Sequence, residues 1–212
     1  MKKLKVKLGI VAVMLMLVGV KQASAQEARS GIKGGLNLSN LYVDDVDDEN
    51  VRVGFNAGIY TQIMIGETFA IQPELLYSAK GAKTEYDNTF GNGETDFNLN
   101  YIEAPILATF KLGDAADIHI GPYFGYLVSA KSKSTNETVF GDVDSEGEFE
   151  RDNFNKFDYG LAGGIGFNFS ALTIGLRYNY GLAEIAKSDT AEAFLGNSKN
   201  STAQVYAAFN LQ

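Results

Sequence analysis

The feature that most constrains this chain is the stretch at residues 51–65, VRVGFNAGIYTQIMI, which alternates without a break between two faces. Val51, Val53, Phe55, Ala57, Ile59, Thr61, Ile63 and Ile65 lie on one face, and Arg52, Gly54, Asn56, Gly58, Tyr60, Gln62 and Met64 on the other. A period of two is that of a β-strand, whose successive side chains point to opposite sides. Strands of soluble proteins run about five or six residues, whereas a tilted strand crossing a bilayer needs roughly nine to eleven. At about 3.3 Å per residue and a tilt near 45°, a stretch of this length rises roughly 35 Å, more than the apolar band of about 25 Å that a membrane barrel presents. The stretch is therefore predicted to cross a membrane as a strand.

The same alternation recurs along the chain. It predicts strands at residues 30–42, 69–80, 99–112, 117–130, 157–169, 172 to about 182, and 201–212, making eight with the first. The connections between them alternate in length. Residues 43–50, 81–98, 131–156 and 183–199 form long polar segments, while 66–68, 113–116 and 170–171 are tight turns. Long external loops and short periplasmic turns are the asymmetry of an outer-membrane barrel, and an even number of strands returns both ends to the periplasm. Tyr and Phe recur towards strand ends (Tyr42, Tyr77, Tyr101, Phe110, Phe157, Phe169, Tyr178, Tyr180), where an aromatic girdle would sit. The predicted fold is all-β, a transmembrane eight-stranded antiparallel up-and-down β-barrel.

Residues 1–25 read as a separate object. Lys2, Lys3, Lys5 and Lys7 make a positive start, residues 8–20 an apolar run, and Ala23-Ser24-Ala25 a small-residue cleavage site, which together predict a cleaved secretory signal peptide. The apolar run is too short to span as a helix, and no cysteine near the site provides for a lipid anchor. Residues 26–212 are then one outer-membrane barrel domain. Of the 18 basic residues five fall in the signal, which leaves 13 against 26 acidic ones, a net charge of −13. Such a chain is not built for nucleic acid or an anionic surface. With no cysteine in an exported chain, stability rests on burial and backbone pairing alone.

Alternation does not say which face is outward, because a lipocalin-like soluble barrel alternates too, with its apolar face inward. The polar face decides. The outside of a soluble barrel would carry many Lys, Glu and Thr, whereas this face is rich in Gly and Asn with a few charges of both signs: Arg52, Glu74, Glu103, Asp158 and Arg177. Small residues and opposed charges suit the interior of an eight-stranded barrel, which has room only for its own side chains or one small ligand. The five charges are expected to form a lumen network paired across strands, since isolated charges there would be prohibitively costly.

Gln72-Pro73-Glu74-Leu75-Leu76-Tyr77-Ser78, Tyr101-Ile102-Glu103-Ala104-Pro105, Gly121-Pro122-Tyr123, Phe157-Asp158-Tyr159-Gly160 and Leu176-Arg177-Tyr178-Asn179-Tyr180-Gly181-Leu182 occur in that order. Together they resemble the PorT-like "porin family" of outer-membrane β-barrel proteins over nearly the whole mature chain. The resemblance implies an outer-membrane location and a small barrel. It implies no demonstrated porin activity, and some relatives are linked to protein secretion. The chain departs from such barrels at its end, Phe209-Asn210-Leu211-Gln212, where an aromatic last residue is common.

No constellation points to an enzyme. His119 is the only histidine, and Ser129 lies ten residues further along the same predicted strand, a separation of roughly 33 Å when extended. A general base must come within about 3 Å of its proton donor, so His119 is expected to pack the lumen. Asp142, Asp144, Glu146, Gly147 and Glu150 partly echo a calcium loop, but Asn153 stands where the bidentate Glu belongs. A solvated acidic loop is the expectation there, as for Asp44, Asp45, Asp47, Asp48 and Glu49. No catalytic, cofactor or metal residue is assigned. The chain reads as a non-enzymatic barrel with a side-chain-filled lumen, in contact with outer-membrane lipid. Its acidic external loops would serve as a surface for an extracellular or envelope protein, and the alternative is a narrow passive pore for small solutes.

Overall fold

The computed structural model describes residues 28–42, 51–88, 91–138, 141–148, 154–186 and 198–211. The proposed signal at residues 1–25, the acidic segment at 43–50, and Glu150 and Asn153 lie outside them. Among the described residues every element is a strand: β1 (Ala28–Tyr42), β2 (Arg52–Met64), β3 (Phe69–Asn88), β4 (Gly91–Leu112), β5 (Ala116–Thr138), β6 (Gly141–Glu148), β7 (Phe157–Phe169), β8 (Leu172–Glu184) and β9 (Lys199–Asn210). All ladders are antiparallel, and the sheet runs β1-β2-β3-β4-β5-β7-β8-β9 and closes on itself through β9 and β1. Gly31 of β1 faces Asn210 of β9, and Tyr42 faces Lys199. The wall is an eight-stranded antiparallel barrel, as the alternation predicts, and closure leaves no edge strand among those eight.

Two of the predicted long loops are not open loops. The β3–β4 ladder continues from Lys80–Leu99 out to Asn88–Gly91, so residues 81–88 and 91–98 are paired as an extension standing on the barrel. Likewise β5 runs on to Thr138 and pairs there with β6, from Lys131–Glu148 to Thr138–Gly141. Beyond the membrane no apolar face is required, so these pairings leave no hydrophobic alternation in the sequence. The calcium reading suffers from the same finding. Asp142, Asp144 and Glu146 are paired with Glu137, Thr135 and Lys133 in an extended strand, not wrapped about a point.

The apolar face is the outer one. Val53, Phe55, Ile59, Ile106, Ile120, Phe124, Leu161, Leu176 and Val205 are all exposed, while Asn56, Ser78, Glu103, Asn179, Thr202 and Gln204 are buried inside. A soluble barrel would have the reverse. Lumen glycines make room for inward rings: a Cβ on Gly175 would run into the Tyr206 ring, and one on Gly164 would lie 2.7 Å from Nε2 of His119. In the tight turn between β4 and β5 Gly113 takes φ 69°, a conformation that glycine adopts without strain. One irregularity affects the lumen. The β4–β5 ladder steps from Tyr101–Leu127 to Asn100–Ser129, and Leu127 and Ala130 both end up buried. This is a β-bulge, which resets the phase of inward and outward positions.

The barrel lumen as candidate functional site

Three polar layers and one apolar layer fill the interior. In the periplasmic half, Arg177 of β8 reaches across to Glu74 of β3, donating from both terminal nitrogens at 2.7 and 2.8 Å. In the strand order these two strands are four positions apart, on opposite walls. Both side chains are fully buried. A bidentate Arg–carboxylate pair of this kind fixes geometry as well as charge. Glu74 also meets Lys33 Nζ at 3.4 Å and accepts from Gln72 at 2.8 Å. The Lys33 ammonium sits 3.6 Å from the centre of the Tyr206 ring, with the Arg177 guanidinium at 5.5 Å from the same ring. Arg177 Nε further donates to Nε2 of His119 at 3.2 Å, so Nε2 is the accepting nitrogen and the ring proton belongs on Nδ1, 3.4 Å from Asp117.

The middle layer is neutral. Asn37 donates to the Ser78 hydroxyl at 3.0 Å and to the Ala79 carbonyl at 2.9 Å, and its own oxygen accepts from Asn56 at 2.6 Å and Gln204 at 3.0 Å. Towards the outside comes a second charged layer. Lys80 is paired with Glu103 and lies 3.4 Å from Asp158, all three buried. Asp158 also accepts from the Asn200 carboxamide at 3.0 Å and the Tyr123 hydroxyl at 3.3 Å. Above it Phe97, Leu99, Tyr101, Leu127, Ala130, Phe154 and Ile185 pack into one apolar cluster. Phe154 and Ile185 come from beyond the ends of β7 and β8 and are held by the Phe154–Ala186 bridge. The cluster lies at the external end of the described lumen. At the other end lies a polar vestibule of about 240 Å³ lined by Lys33, Gln62, Gln72, Asp117 and Tyr206, among others.

Of the five charges singled out from sequence, four are deep in the lumen, in two separate groups: Arg177 with Glu74, and Glu103 with Asp158 through Lys80. Arg52 stands apart from both. It sits at the external end of β2, opposite Ser39, and donates to the Lys80 carbonyl at 3.1 Å and to the Asn98 side chain. Its height along the strand, not the sign of its charge, sets its partners. The sequence reading left Lys33, Lys80 and Asp117 out of the network, although Lys33 and Lys80 occupy the same polar-face positions as the rest, and it expected His119 in the lumen without giving it partners. His119 is fully buried in the charged layer, with Arg177 and Asp117 as neighbours. Ser129 is not among its contacts. Among the described residues no group of three or more His, Cys, Asp or Glu is placed to hold a metal ion.

Solved structures with this architecture include Ail, the attachment invasion locus protein of Yersinia pestis (15% identity, 87% of this chain and 99% of that one, TM-score 0.46). Others are Neisserial surface protein A (13%, 87% and 99%, TM-score 0.47) and OprG from Pseudomonas aeruginosa (12%, 86% and 91%, TM-score 0.33). At these identities and scores none of them bears on what the chain does. No curated protein matches it. The model of the outer membrane protein beta-barrel domain matches residues 22–187. With more than three quarters of its length so matched and an apolar outer face on a closed barrel, the chain belongs to that family and is a β-barrel protein of the outer membrane.

Proposed function

We propose that the protein is a non-enzymatic barrel of the PorT-like kind, its lumen plugged by its own side chains and its acidic external hairpins a docking surface for another envelope or extracellular protein, with a role linked to protein secretion. The observation that carries the plug is the Arg177–Glu74 pair, a bidentate contact between opposite walls at 2.7 and 2.8 Å. A water-filled passage would have to run through it. The apolar cluster around Phe154 and Ile185 adds a second closure. In favour of the surface role, the β3–β4 ladder extends eight residue pairs past Lys80–Leu99, roughly 25 Å of hairpin at about 3.3 Å per residue. Asp87, Glu94, Asp96, Asp142 and Asp144 lie on these extensions, which gives the external end an acidic character suited to a basic partner.

A narrow passive pore is the second reading. It is favoured by Asn179 Oδ1, Thr202 Oγ1, Thr109 Oγ1 and Gln204 Oε1, lumen atoms with no protein partner, which water could serve. Liposome swelling with sugars of graded size separates the two. The plug predicts swelling no faster than in protein-free vesicles, and rates that rise as the solute shrinks would establish the pore. A photo-crosslinking residue placed at Asn88, on the hairpin, and at lipid-facing Phe124 tests the surface role in cells. A discrete protein adduct is expected at the hairpin alone.

A further inference from the structure

Two buried oxygens stand beside the Arg177–His119 contact with nothing to bond. Thr109 lies opposite His119 in the β4–β5 ladder, and Gln204 lies opposite Arg177 in the β8–β9 ladder. Directly opposed residues have Cβ atoms about 4.5–5.5 Å apart, so each side chain is within reach of its neighbour. Thr109 and Gln204 are 0% and 1% exposed, yet Thr109 Oγ1 and Gln204 Oε1 have no protein partner. Buried polar atoms are rarely left so, and each such exception calls for a reason.

The reason lies in the proton count of His119. In the neutral ring Nε2 accepts from Arg177 Nε at 3.2 Å, while Nδ1 carries its proton towards Asp117 at 3.4 Å. A second ring proton can go only on Nε2. It turns that atom into a donor facing a donor and sets an imidazolium against the guanidinium. The surroundings do not absorb the added charge. Asp117 comes from the same strand, Arg177 from β8 and the Tyr206 ring from β9 at 6.1 Å, with Tyr60 of β2 packed on Tyr206. Thr109 of β4 and Gly164 of β7, the neighbours on either side, carry no charge. Lys33 of β1 and Glu74 of β3 complete the layer. Lys33 and Arg177 balance Glu74 and Asp117 while the imidazole is neutral, and protonation leaves one positive charge in excess. In a buried layer that excess is relieved by separating the two cations.

We propose that His119 is the trigger of a pH-operated latch on the lumen, a regulation that rests on the plug reading. With the ring neutral, Arg177 spans the barrel to Glu74. With the ring protonated, Nε2 donates to Thr109 Oγ1 and the guanidinium withdraws to Gln204 Oε1 on the adjoining strand, which leaves Glu74 to Lys33 and Gln72. Each unpartnered oxygen then has a donor, and the bolt between opposite walls is drawn. The bridged state is held above the titration of the imidazole and lost below it.

His119 is the only histidine in the chain, so its ring gives a single set of NMR signals in lipid nanodiscs. Nitrogen-labelled protein is titrated from about pH 8 to about pH 4, with the Arg177 Nε–H signal assigned by its loss in Arg177→Lys. That signal should move along the same curve as the imidazole, and planar-bilayer conductance should rise several-fold over the same span. His119→Gln should abolish the pH response of both the Arg177 signal and the conductance. Gln204→Leu should keep the imidazole titration and lose the conductance rise. An imidazole that does not titrate in this span, an Arg177 signal that ignores it, or a conductance rise that survives in either variant would overturn the latch. A large, steady conductance already at about pH 8 would remove the plug reading alone, and the latch would then be decided by the Arg177 signal.

Discussion

Replacing Arg177 by Ala removes one half of a buried pair and leaves Glu74, with no exposed side-chain surface, short of its bidentate donor. Breaking a buried pair in this way costs about 3–5 kcal/mol, most of it the penalty of the stranded charge. Lys33 remains 3.4 Å from Glu74 and Gln72 still donates at 2.8 Å, so the loss should fall near the lower figure. Arg177→Ala is thus expected to destabilise the barrel by about 3 kcal/mol. Urea titration in lipid vesicles, followed by far-ultraviolet circular dichroism, measures it. Removing the stranded charge as well, in Arg177→Ala/Glu74→Gln, should recover about 2 kcal/mol relative to the sum of the single changes, because contacting residues couple. Arg177→Ala/Glu103→Gln should be additive within about 0.5 kcal/mol, since Glu103 pairs with Lys80 in another layer. Coupling to Glu103 and none to Glu74 would refute the layered arrangement of the lumen.

Ile59, outward and 47% exposed, meets lipid, so Ile59→Arg should cost roughly 2–4 kcal/mol and depress folding yield in bilayers, whereas Gln62→Arg, in the polar vestibule, should fold as wild type; equal yields would reverse the faces. Gly175→Ala drives a methyl into the Tyr206 ring and should cost about 1–3 kcal/mol in the same urea titration, with partial rescue by Tyr206→Ala; additivity of the two would mean the ring is not what the glycine accommodates. The protein, fractionated from cells, should sediment with outer membranes and migrate faster on gels when unboiled, because a closed barrel offers detergent no edge; one mobility at all temperatures would count against closure.

The wall of the barrel was legible because a membrane strand has to alternate. Phe55 exposed beside Asn56 buried is the same fact as the period of two. Parity places Glu74, Glu103, Asp158 and Arg177 inside, and it places Lys33 and Lys80 there equally. Which charge meets which was not legible. Partners such as Arg177 and Glu74 stand on opposite walls, 103 residues apart, at heights set by the stagger of the closed sheet and not by any local spacing. Arg52 shows the consequence, since it has the right parity but a height at the external rim. The hairpin extensions were hidden for a different reason. Beyond the apolar band the continued pairing of Lys83 with Asp96 and onward requires no apolar face, so it leaves no alternation in the sequence. The bulge at Leu127 and Ser129 likewise changes phase with no glycine or proline to mark it.

Single-channel recording of the refolded protein in a planar bilayer tests most directly whether the lumen is closed. With Arg177 and Glu74 joined across the barrel and Phe154 and Ile185 packed above, the wild type should show at most small, flickering conductance, and Arg177→Ala more. A large, steady wild-type conductance, indifferent to the loss of Arg177, would mean that the charges line an open channel and would contradict the account.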